Sequence, residues 1–416
     1  MGQVDREGRA MRTMRRGRTE RRTEGPTGGR AGQERAASAG RTRRGVWAGL
    51  GAAALALTSV AAVPAADPAG NPAGNPAADP ATVTKHGPAW SLKSTGTDAR
   101  FRGLAAVSRS TAWLAGSKGT VLRTTDGGAS WRNVSPPVAP GETGLEFRDV
   151  EAFDGRRAVV LAIGEGEASR VFRTTDGGAT WTESFRNTDP RAFYDCMTFF
   201  DRRHGLAMSD PVDGKYRILS TADGGRSWKV LPDKGMPAAQ QGEAGFAASG
   251  QCLVSSGPRD VWLATGGAAR ARVLHSADRG LTWKATDAPI PAGDPARGVF
   301  GVAFRDRTHG IAVGGDYRPG EQSPKAAAVS RDGGRTWDAA ARPVPAYRSG
   351  VTWLPHTRRT ALAVGPTGTD LTTDGGRTWR TVDTGSYDTV DCARDLGCWA
   401  AGEKGRVARL EFGRRG

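Results

Sequence analysis

The chain has 416 residues and a formal net charge of +16, from 59 Lys and Arg against 43 Asp and Glu. Hydrophobic residues make up 38% of it, which is enough for a large core and excludes global disorder. No run of about 20 apolar residues lies beyond the N-terminal region, which excludes a membrane protein with several spans. Gly (59) is abundant and Trp (12) outnumbers Tyr (5), an imbalance that a repeated motif explains below.

Residues 1–65 have the features of a signal peptide. Residues 1–44 carry 13 Arg and five acids, and an Ala/Leu-rich run from Val46 to Val63 follows, with small residues up to Ala65. The pair Arg43-Arg44 favours the twin-arginine route, although an ordinary secretory signal or a retained membrane anchor fits the same residues. Residues 66–86 repeat Pro, Ala, Gly and Asn and are typical of an unstructured linker. We therefore expect an exported protein, secreted or associated with the cell envelope, whose mature part keeps about half of the charge.

Six similar segments follow, each with an Asp, a Gly-containing turn, a Ser or Thr and a Trp. Their Trp residues are spaced by 42 to 55 positions: Trp131, Trp181, Trp228, Trp283, Trp337 and Trp379. The motif resembles the Asp-box repeats of sialidases and other β-propellers. We interpret the six aspartates as structural acceptors in a tight hairpin, since all copies are alike and a catalytic or metal site needs only one. They are Asp126, Asp176, Asp223, Asp278, Asp332 and Asp374.

The spacing predicts an all-β fold, a seven-bladed β-propeller with four-stranded blades over residues 87–416. Strand-like runs precede each motif, at about 47 residues per blade. Three strand-like runs in residues 387–411 have no motif after them, and residues 88–93 look like an outer strand with nothing before it. Pairing of the N- and C-terminal strands would therefore complete a seventh blade and close the ring.

Four cysteines allow disulfides in an exported protein. Cys392 and Cys398 lie on adjoining predicted strands. Two alternatives remain open for them: a disulfide, or two free and buried thiols. A bridge between Cys196 and Cys252 would have to join neighbouring blades. No pair has the spacing of a metal site, and we expect neither a metal nor a cofactor.

The starts of the innermost strands open on one face around the channel, and charged residues collect there. One alignment brings Arg102, Arg148, Tyr194, Glu243, Phe300, Arg348 and Asp388 together, and a register shift of one residue adds Asp149 and Asp195. Loops between the second and third strands add Asp210, Asp316 and Tyr317. Two interpretations stand: a funnel that binds an anion or carboxylate, or exposed strand ends whose charges pair with one another.

Residues 87–416 resemble bacterial relatives of the plant photosystem II stability/assembly factor. The segments that carry this resemblance are FYDCMTFFDRRHGLAMSDP, GEAGFAASG, VGGDY and YRSGV. The resemblance implies a monomeric, non-enzymatic binding or assembly scaffold whose partner is a protein or an anionic ligand, and it does not imply photosynthesis. Some relatives carry an oxidoreductase label, but no dinucleotide fingerprint, haem motif or redox CxxC is present.

The rival interpretation is a glycoside hydrolase of the sialidase type. Arg102, Arg148 and Arg348 would hold a carboxylate, Tyr194 and Glu243 would form the nucleophile pair, and Asp149 would act as acid/base. Sialidases have six blades, however, and their Arg-Ile-Pro signature is replaced by Arg-Gly-Leu at residues 102–104. Nucleic acid is a poor partner, because the basic residues of the mature part are interspersed with acids.

Overall fold

Seven four-stranded antiparallel sheets make up the part of the chain that the computed structural model describes, residues 88–137 and 144–412. The protein is therefore a seven-bladed β-propeller, as the repeat spacing predicts. Its one helical element in that part is a single 3₁₀ turn, Gly166–Ala168. The predicted signal peptide and linker lie outside the described residues.

Strand β1 is Ala89–Lys93, and the next three blades follow it in chain order. Blade 1 contains β2 (Phe101–Ala106), β3 (Ala112–Gly116), β4 (Val121–Thr124) and β5 (Arg132–Asn133). Blade 2 contains β6 (Glu146–Ala152), β7 (Ala158–Ile163), β8 (Arg170–Thr174) and β9 (Thr182–Arg186). Blade 3 contains β10 (Tyr194–Phe199), β11 (Gly205–Val212), β12 (Lys215–Thr221) and β13 (Lys229–Val230).

The remaining four blades have the same order of strands. Blade 4 contains β14 (Leu253–Ser256), β15 (Asp260–Ala264), β16 (Arg272–Ser276) and β17 (Lys284–Asp287). Blade 5 contains β18 (Arg297–Phe304), β19 (Gly310–Asp316), β20 (Ala327–Ser330) and β21 (Asp338–Ala339). Blade 6 contains β22 (Gly350–Trp353), β23 (Ala361–Gly365), β24 (Gly368–Thr372) and β25 (Arg380–Asp383). Blade 7 contains β26 (Thr389–Cys392), β27 (Cys398–Ala401), β28 (Val407–Glu411) and β1.

Blade 7 is built from both ends of the described chain. Strand β1 pairs antiparallel with β28, with Ala89 opposite Glu411 and Lys93 opposite Val407. The outer edge of the last blade is thus supplied by the first strand. The ring closes as predicted, and β28 is not left as an open edge.

Tryptophans of the second strands tie neighbouring blades together. Trp113, Trp262 and Trp399 are fully buried, and each indole N–H donates to a carbonyl of the next blade. A buried indole needs a partner for its N–H, so these bonds fix the angle between blades as well as filling the core.

The six aspartates of the repeated motif lie in the turn between the third and fourth strands. In the first copy, Asp126 accepts hydrogen bonds from the main chain and hydroxyl of Ser130 and from the hydroxyl of Thr124. These bonds lower the pKa of Asp126 to about 2. The following glycines have positive φ, and where the fourth copy has Arg279 instead, that residue adopts a φ of 62°. We call these six hairpins the Asp turns.

The antiparallel order gives the ring two different ends. Inner strands begin at one end, which also carries the loops between second and third strands; we call it the entry end. The loops between first and second strands and the Asp turns lie at the other end, which we call the hairpin end.

Two disulfides are present among the described residues. Cys196 pairs with Cys252 near the entry end and joins blades 3 and 4, and Cys392 pairs with Cys398 at the hairpin end of blade 7. No helix among the described residues is long and apolar enough to cross a membrane.

Candidate functional site

One residue near the start of each inner strand forms a ring around the axis at the entry end. In four blades it occupies a β-bulge, where two residues face one on the partner strand. In the other three blades the paired residues form no bulge, and the ring residue lies directly before the inner-strand residue that pairs with the same position of the second strand. This axial ring consists of Arg102, Arg148, Asp195, Gln251, Phe300, Ser349 and Asp388.

The register differs from the sequence alignment in three blades. Asp195 replaces Tyr194 and Ser349 replaces Arg348, each by a shift of one residue. In blade 4 the inner strand starts at Leu253, so Gln251 takes the ring position that the alignment gave to Glu243. A shift of one residue sends a side chain to the other face of a strand, which is why these three residues have other surroundings.

Tyr194, Arg348 and Glu243 are buried within or between blades. Tyr194 packs edge-to-face on Phe185 in the apolar core, where its equivalents are Phe101 and Phe147. Arg348 is 1% exposed and its Nε donates to Asp370 at 2.6 Å.

Glu243 accepts hydrogen bonds from both Nε and Nη2 of Arg272 and from the hydroxyl of Thr265. Each of these polar groups has its partners inside the protein, as burial requires.

Two other predicted acids at the entry end, Asp388 and Asp316, are also paired with arginines. Asp388 accepts two hydrogen bonds from Arg100, and Asp316 accepts hydrogen bonds from Arg297 and Arg318. Arg148 donates to the carbonyl of Ala247, and Arg102 is buried. The geometry thus brings acids and arginines together at this end, in pairs.

Residues 246–251 cross the axis at the entry end, and we call them the axial segment. Arg148 of blade 2 donates to it, and the Ser249 hydroxyl donates to the carbonyl of Ser349 in blade 6. The Gln251 side chain donates to the carbonyl of Val390 and accepts from the main chain of Val351. One segment therefore contacts blades 2, 6 and 7 and fills the space that a regular inner strand would leave open.

Asp149 packs directly against the axial segment. Gly250 has a φ of +75°, and a Cβ there would lie 2.6 Å from Oδ1 of Asp149. The other oxygen, Oδ2, accepts a hydrogen bond from the main chain of Met197. Burial raises the pKa of Asp149 to about 8, because the charged form is poorly solvated there.

A second pair of acids lies beside the same segment. Asp195 and Asp210 are buried with their carboxyl groups close enough to interact, and Gly245 donates its N–H to Asp210. Burial raises the pKa of both carboxyls, and the charge of Asp210 adds to the effect on Asp195. Glu151 and Asp391, from the inner strands of blades 2 and 7, have raised pKa values for the same reason. Burial thus shifts the pKa of each of these carboxyls upward, in the direction that favours the uncharged form.

An aromatic cluster covers the entry end over blades 4 to 6. Phe246 stacks on Phe300 with centroids 4.0 Å apart, and Tyr317 and Tyr347 pack edge-to-face on the same ring at 6.0 and 4.7 Å. The two phenylalanines are buried and the two tyrosines are half-buried. Tyr317 and Tyr347 are therefore the part of the cluster that another molecule can contact. Sequence reasoning found Tyr317 but missed Tyr347, although Tyr347 is the first residue of YRSGV.

The roles that hydrolysis would need are not brought together. In the described part of the chain Glu243 contacts Arg272, Thr265 and Gln240, and the tyrosine that lies near it is Tyr216 rather than Tyr194. Burial raises the pKa of Tyr216, which opposes formation of the phenolate. No group of three or more His, Cys, Asp or Glu among the described residues is placed to hold a metal ion.

No protein-family model and no curated sequence matches this chain. Solved structures do. A structure of YCF48 bound to D1 peptide matches with a TM-score of 0.54 at 16% identity, over 77% of this chain and 96% of that one. YCF48 from Cyanidioschyzon merolae gives 0.55 at 16% identity, over 78% and 99%. The Pan2 WD40 domain of Neurospora crassa gives 0.54 at 14% identity, over 76% and 90%. At these identities the likeness establishes the propeller fold.

Proposed function

We propose that this chain is an exported, non-catalytic propeller that captures an extended segment of a partner protein at its entry end. The observation that carries this is the aromatic cluster, where Tyr317 and Tyr347 present half-buried rings above a buried Phe300. Tyrosines held this way offer a large contact area with little conformational entropy to lose, which is why they are enriched at protein interfaces.

The surroundings of the cluster favour a peptide over a small substrate. The axial segment closes the channel directly beside it, so the surface is a shallow face and not a deep funnel. Arg297 and Arg318, partly exposed and held by Asp316, border the tyrosines and supply donors for main-chain carbonyls or acidic side chains. A solved YCF48 structure with a bound D1 peptide supports a peptide ligand for this kind of propeller.

Export belongs to the same proposal. Two disulfides are consistent with an oxidising compartment, and the Arg-rich residues before the apolar run at 46–63 have the composition of an export signal. A partner in the cell envelope or outside the cell would meet the propeller there.

Site-specific photo-crosslinking tests the binding face. A crosslinking amino acid at Glu321, four residues from Tyr317, should give a discrete adduct in the cell envelope. The same amino acid at Leu281, which is 53% exposed at the hairpin end, should not. The double variant Tyr317→Ala/Tyr347→Ala should abolish the Glu321 adduct. Equal adducts from both positions, or an adduct that survives the double variant, would contradict the proposal.

Replacing Arg102 and Arg348 is a poor test of binding, because both side chains are buried and their loss would disturb the ring itself. Catalysis is tested separately by incubating the purified protein with sialyl and β-glucan substrates, which it should leave uncleaved. Release of sugar would overturn the non-catalytic part of the proposal and would restore the hydrolase alternative.

A further inference from the structure

A cavity lies at the hairpin end, between blades 2 and 3, far from the aromatic cluster. Its volume is about 400 Å³, and five arginines line it together with one acid, Asp223. We call these arginines the arginine pocket: Arg157, Arg173, Arg202, Arg203 and Arg226.

The charges in the pocket are only partly neutralised. Asp154 accepts two hydrogen bonds from Arg157 and lies 3.7 Å from Arg202. Both oxygens of Asp223 are taken up by its own Asp turn, through the main chain and hydroxyl of Ser227 and the hydroxyl of Thr221. With two acids against five guanidinium groups, the pocket keeps an excess of positive charge.

Two of the arginines show how the pocket is arranged. Arg173 of blade 2 donates its Nε to the carbonyl of Gly224 in blade 3, so it spans the junction and is held in place. Burial lowers the pKa of Arg173, and the nearby charges of Arg226 and Arg157 lower it further, while the charge of Asp223 opposes them. The guanidinium of Arg226 has no ion pair among the described residues. An anion between these groups would relieve their mutual repulsion.

The repeat shows that this cluster is particular to one junction. In every blade with an Asp turn, the N–H after the Asp donates to a carbonyl of the loop between the first two strands, and this bond aligns the positions. In blade 3 the acceptor is Arg203, and in blade 6 it is Arg359. At the five aligned positions, arginine occurs five times between blades 2 and 3, three times between blades 5 and 6, and no more than twice elsewhere.

We propose that the arginine pocket is a binding site for a tetrahedral oxyanion with two negative charges, inorganic phosphate or the phosphate of a phosphomonoester. Guanidinium groups donate pairs of hydrogen bonds to phosphate oxygens, and several of them converging on one cavity match a dianion better than a single carboxylate. The volume exceeds that of phosphate alone and leaves space for the esterified group.

The junction of blades 5 and 6 supplies a matched control. Arg358, Arg359 and Arg377 occupy the positions of Arg202, Arg203 and Arg226, but His309 and Val329 stand where the pocket has Arg157 and Arg173. Equal changes of charge can thus be made at two equivalent places, only one of which has the complete pocket.

Titration calorimetry of the full protein with sodium phosphate tests the proposal, in chloride buffer of constant ionic strength. Wild type should bind one phosphate saturably, and Arg202→Gln/Arg226→Gln should weaken binding by about tenfold or more. Arg358→Gln/Arg377→Gln should leave the affinity within about twofold of wild type, since it removes the same charge outside the pocket.

Absence of saturable binding at millimolar phosphate, or equal loss in both double variants, would overturn the proposal. Thermal unfolding without phosphate checks that each variant folds. If Arg202→Gln/Arg226→Gln does not fold, then Arg226→Gln alone, which breaks no ion pair, must show the weaker phosphate binding.

Parallel titrations with glycerol 3-phosphate distinguish a phosphomonoester from free phosphate, according to which of the two binds more tightly. Tighter binding of duplex DNA with the same arginine dependence would overturn the small-anion site. None of these results bears on the entry-end proposal, which uses other residues.

Discussion

At the entry end, Arg348 is buried against Asp370 and Arg272 against Glu243, whereas at the hairpin end Arg226 is exposed and has no ion pair among the described residues. The two ends come from the same repeat, yet one uses its charged residues to join blades and the other leaves them facing a cavity. Charged side chains thus serve the fold at one end of the propeller, and at the other end they form the pocket for which we propose a ligand. Replacing matched residues at the two ends should separate these roles.

The largest expected difference is between two arginines. Arg348→Met leaves Asp370 buried without its cation and should destabilise the protein by about 3 to 5 kcal/mol. Arg226→Met removes an exposed guanidinium and should leave stability unchanged. Denaturant unfolding of both variants measures this, and a stable Arg348→Met protein would show that the buried pair contributes little.

The two disulfides should also differ. Cys196 and Cys252 are 56 residues apart and Cys392 and Cys398 only six, so the first bridge restricts the unfolded chain more. In the chain-entropy description, replacing both cysteines by serine should cost about 4 kcal/mol at the entry end and about 2 kcal/mol at the hairpin end. Comparable losses in the two double variants would show that packing, rather than loop length, decides their contribution.

Gly250 tests how closely the axial segment must pack. Gly250→Ala forces a Cβ to within 2.6 Å of Asp149 in a backbone with φ of +75°, and should cost about 3 kcal/mol. Gly214→Ala has a similar φ of +79° but nothing within 4 Å, so it should cost only the backbone strain of about 1 kcal/mol. Equal losses of stability would mean that the contact with Asp149 is easily relaxed.

The smallest expected change, taken per pH unit, is the dependence of the free energy of unfolding on pH. Because the pKa of Asp149 is raised to about 8, the folded state holds a proton that the unfolded state releases near pH 4. Its contribution to stability is therefore complete below about pH 4 and is lost as pH rises towards 8, by up to about 1.4 kcal/mol per pH unit. Unfolding by urea between pH 5 and pH 8 should show this slope.

Asp149→Asn should flatten that slope while keeping an acceptor for Met197. Asp126→Asn is the control at the hairpin end: the pKa of Asp126 is lowered to about 2, so its replacement should leave the slope between pH 5 and pH 8 unchanged. A slope that persists in Asp149→Asn would assign it to the other buried carboxyls, such as Asp195 and Asp210.

Much of the fold could be predicted from the sequence because the repeat reports it directly. The Asp turns fix the boundary between third and fourth strands, and Trp90 in an isolated strand points to closure by the first strand. The axial ring could be predicted only in part. The sequence alignment places Arg102 and Arg148 correctly in the ring. In blades 3 and 6 it is wrong by one residue, because the local sequence pattern cannot reveal a shift that is set by pairing across strands.

The axial segment was also beyond sequence reasoning. GEAGFAA resembles an inner strand in composition, yet in the structure the last residues of this run begin the axial segment, 246–251, which crosses the axis to blades 2, 6 and 7. Its partners are about 100 residues or more away along the chain. The arginine pocket had a visible signal, five arginines at aligned positions of two neighbouring repeats, which appears only when the repeats are compared across a junction and not within a blade.

Closure of the ring by β1 and β28 places a constraint on the order of synthesis. Among the described strands, β1 leaves the ribosome first, but its partner β28 emerges after all six intervening blades. Until then, β1 cannot form its native pairing, and the long sequence separation makes this final pairing slow. The last step of folding therefore occurs on the completed polypeptide, and any machinery that holds the N-terminal region during translation also delays the closing of the ring.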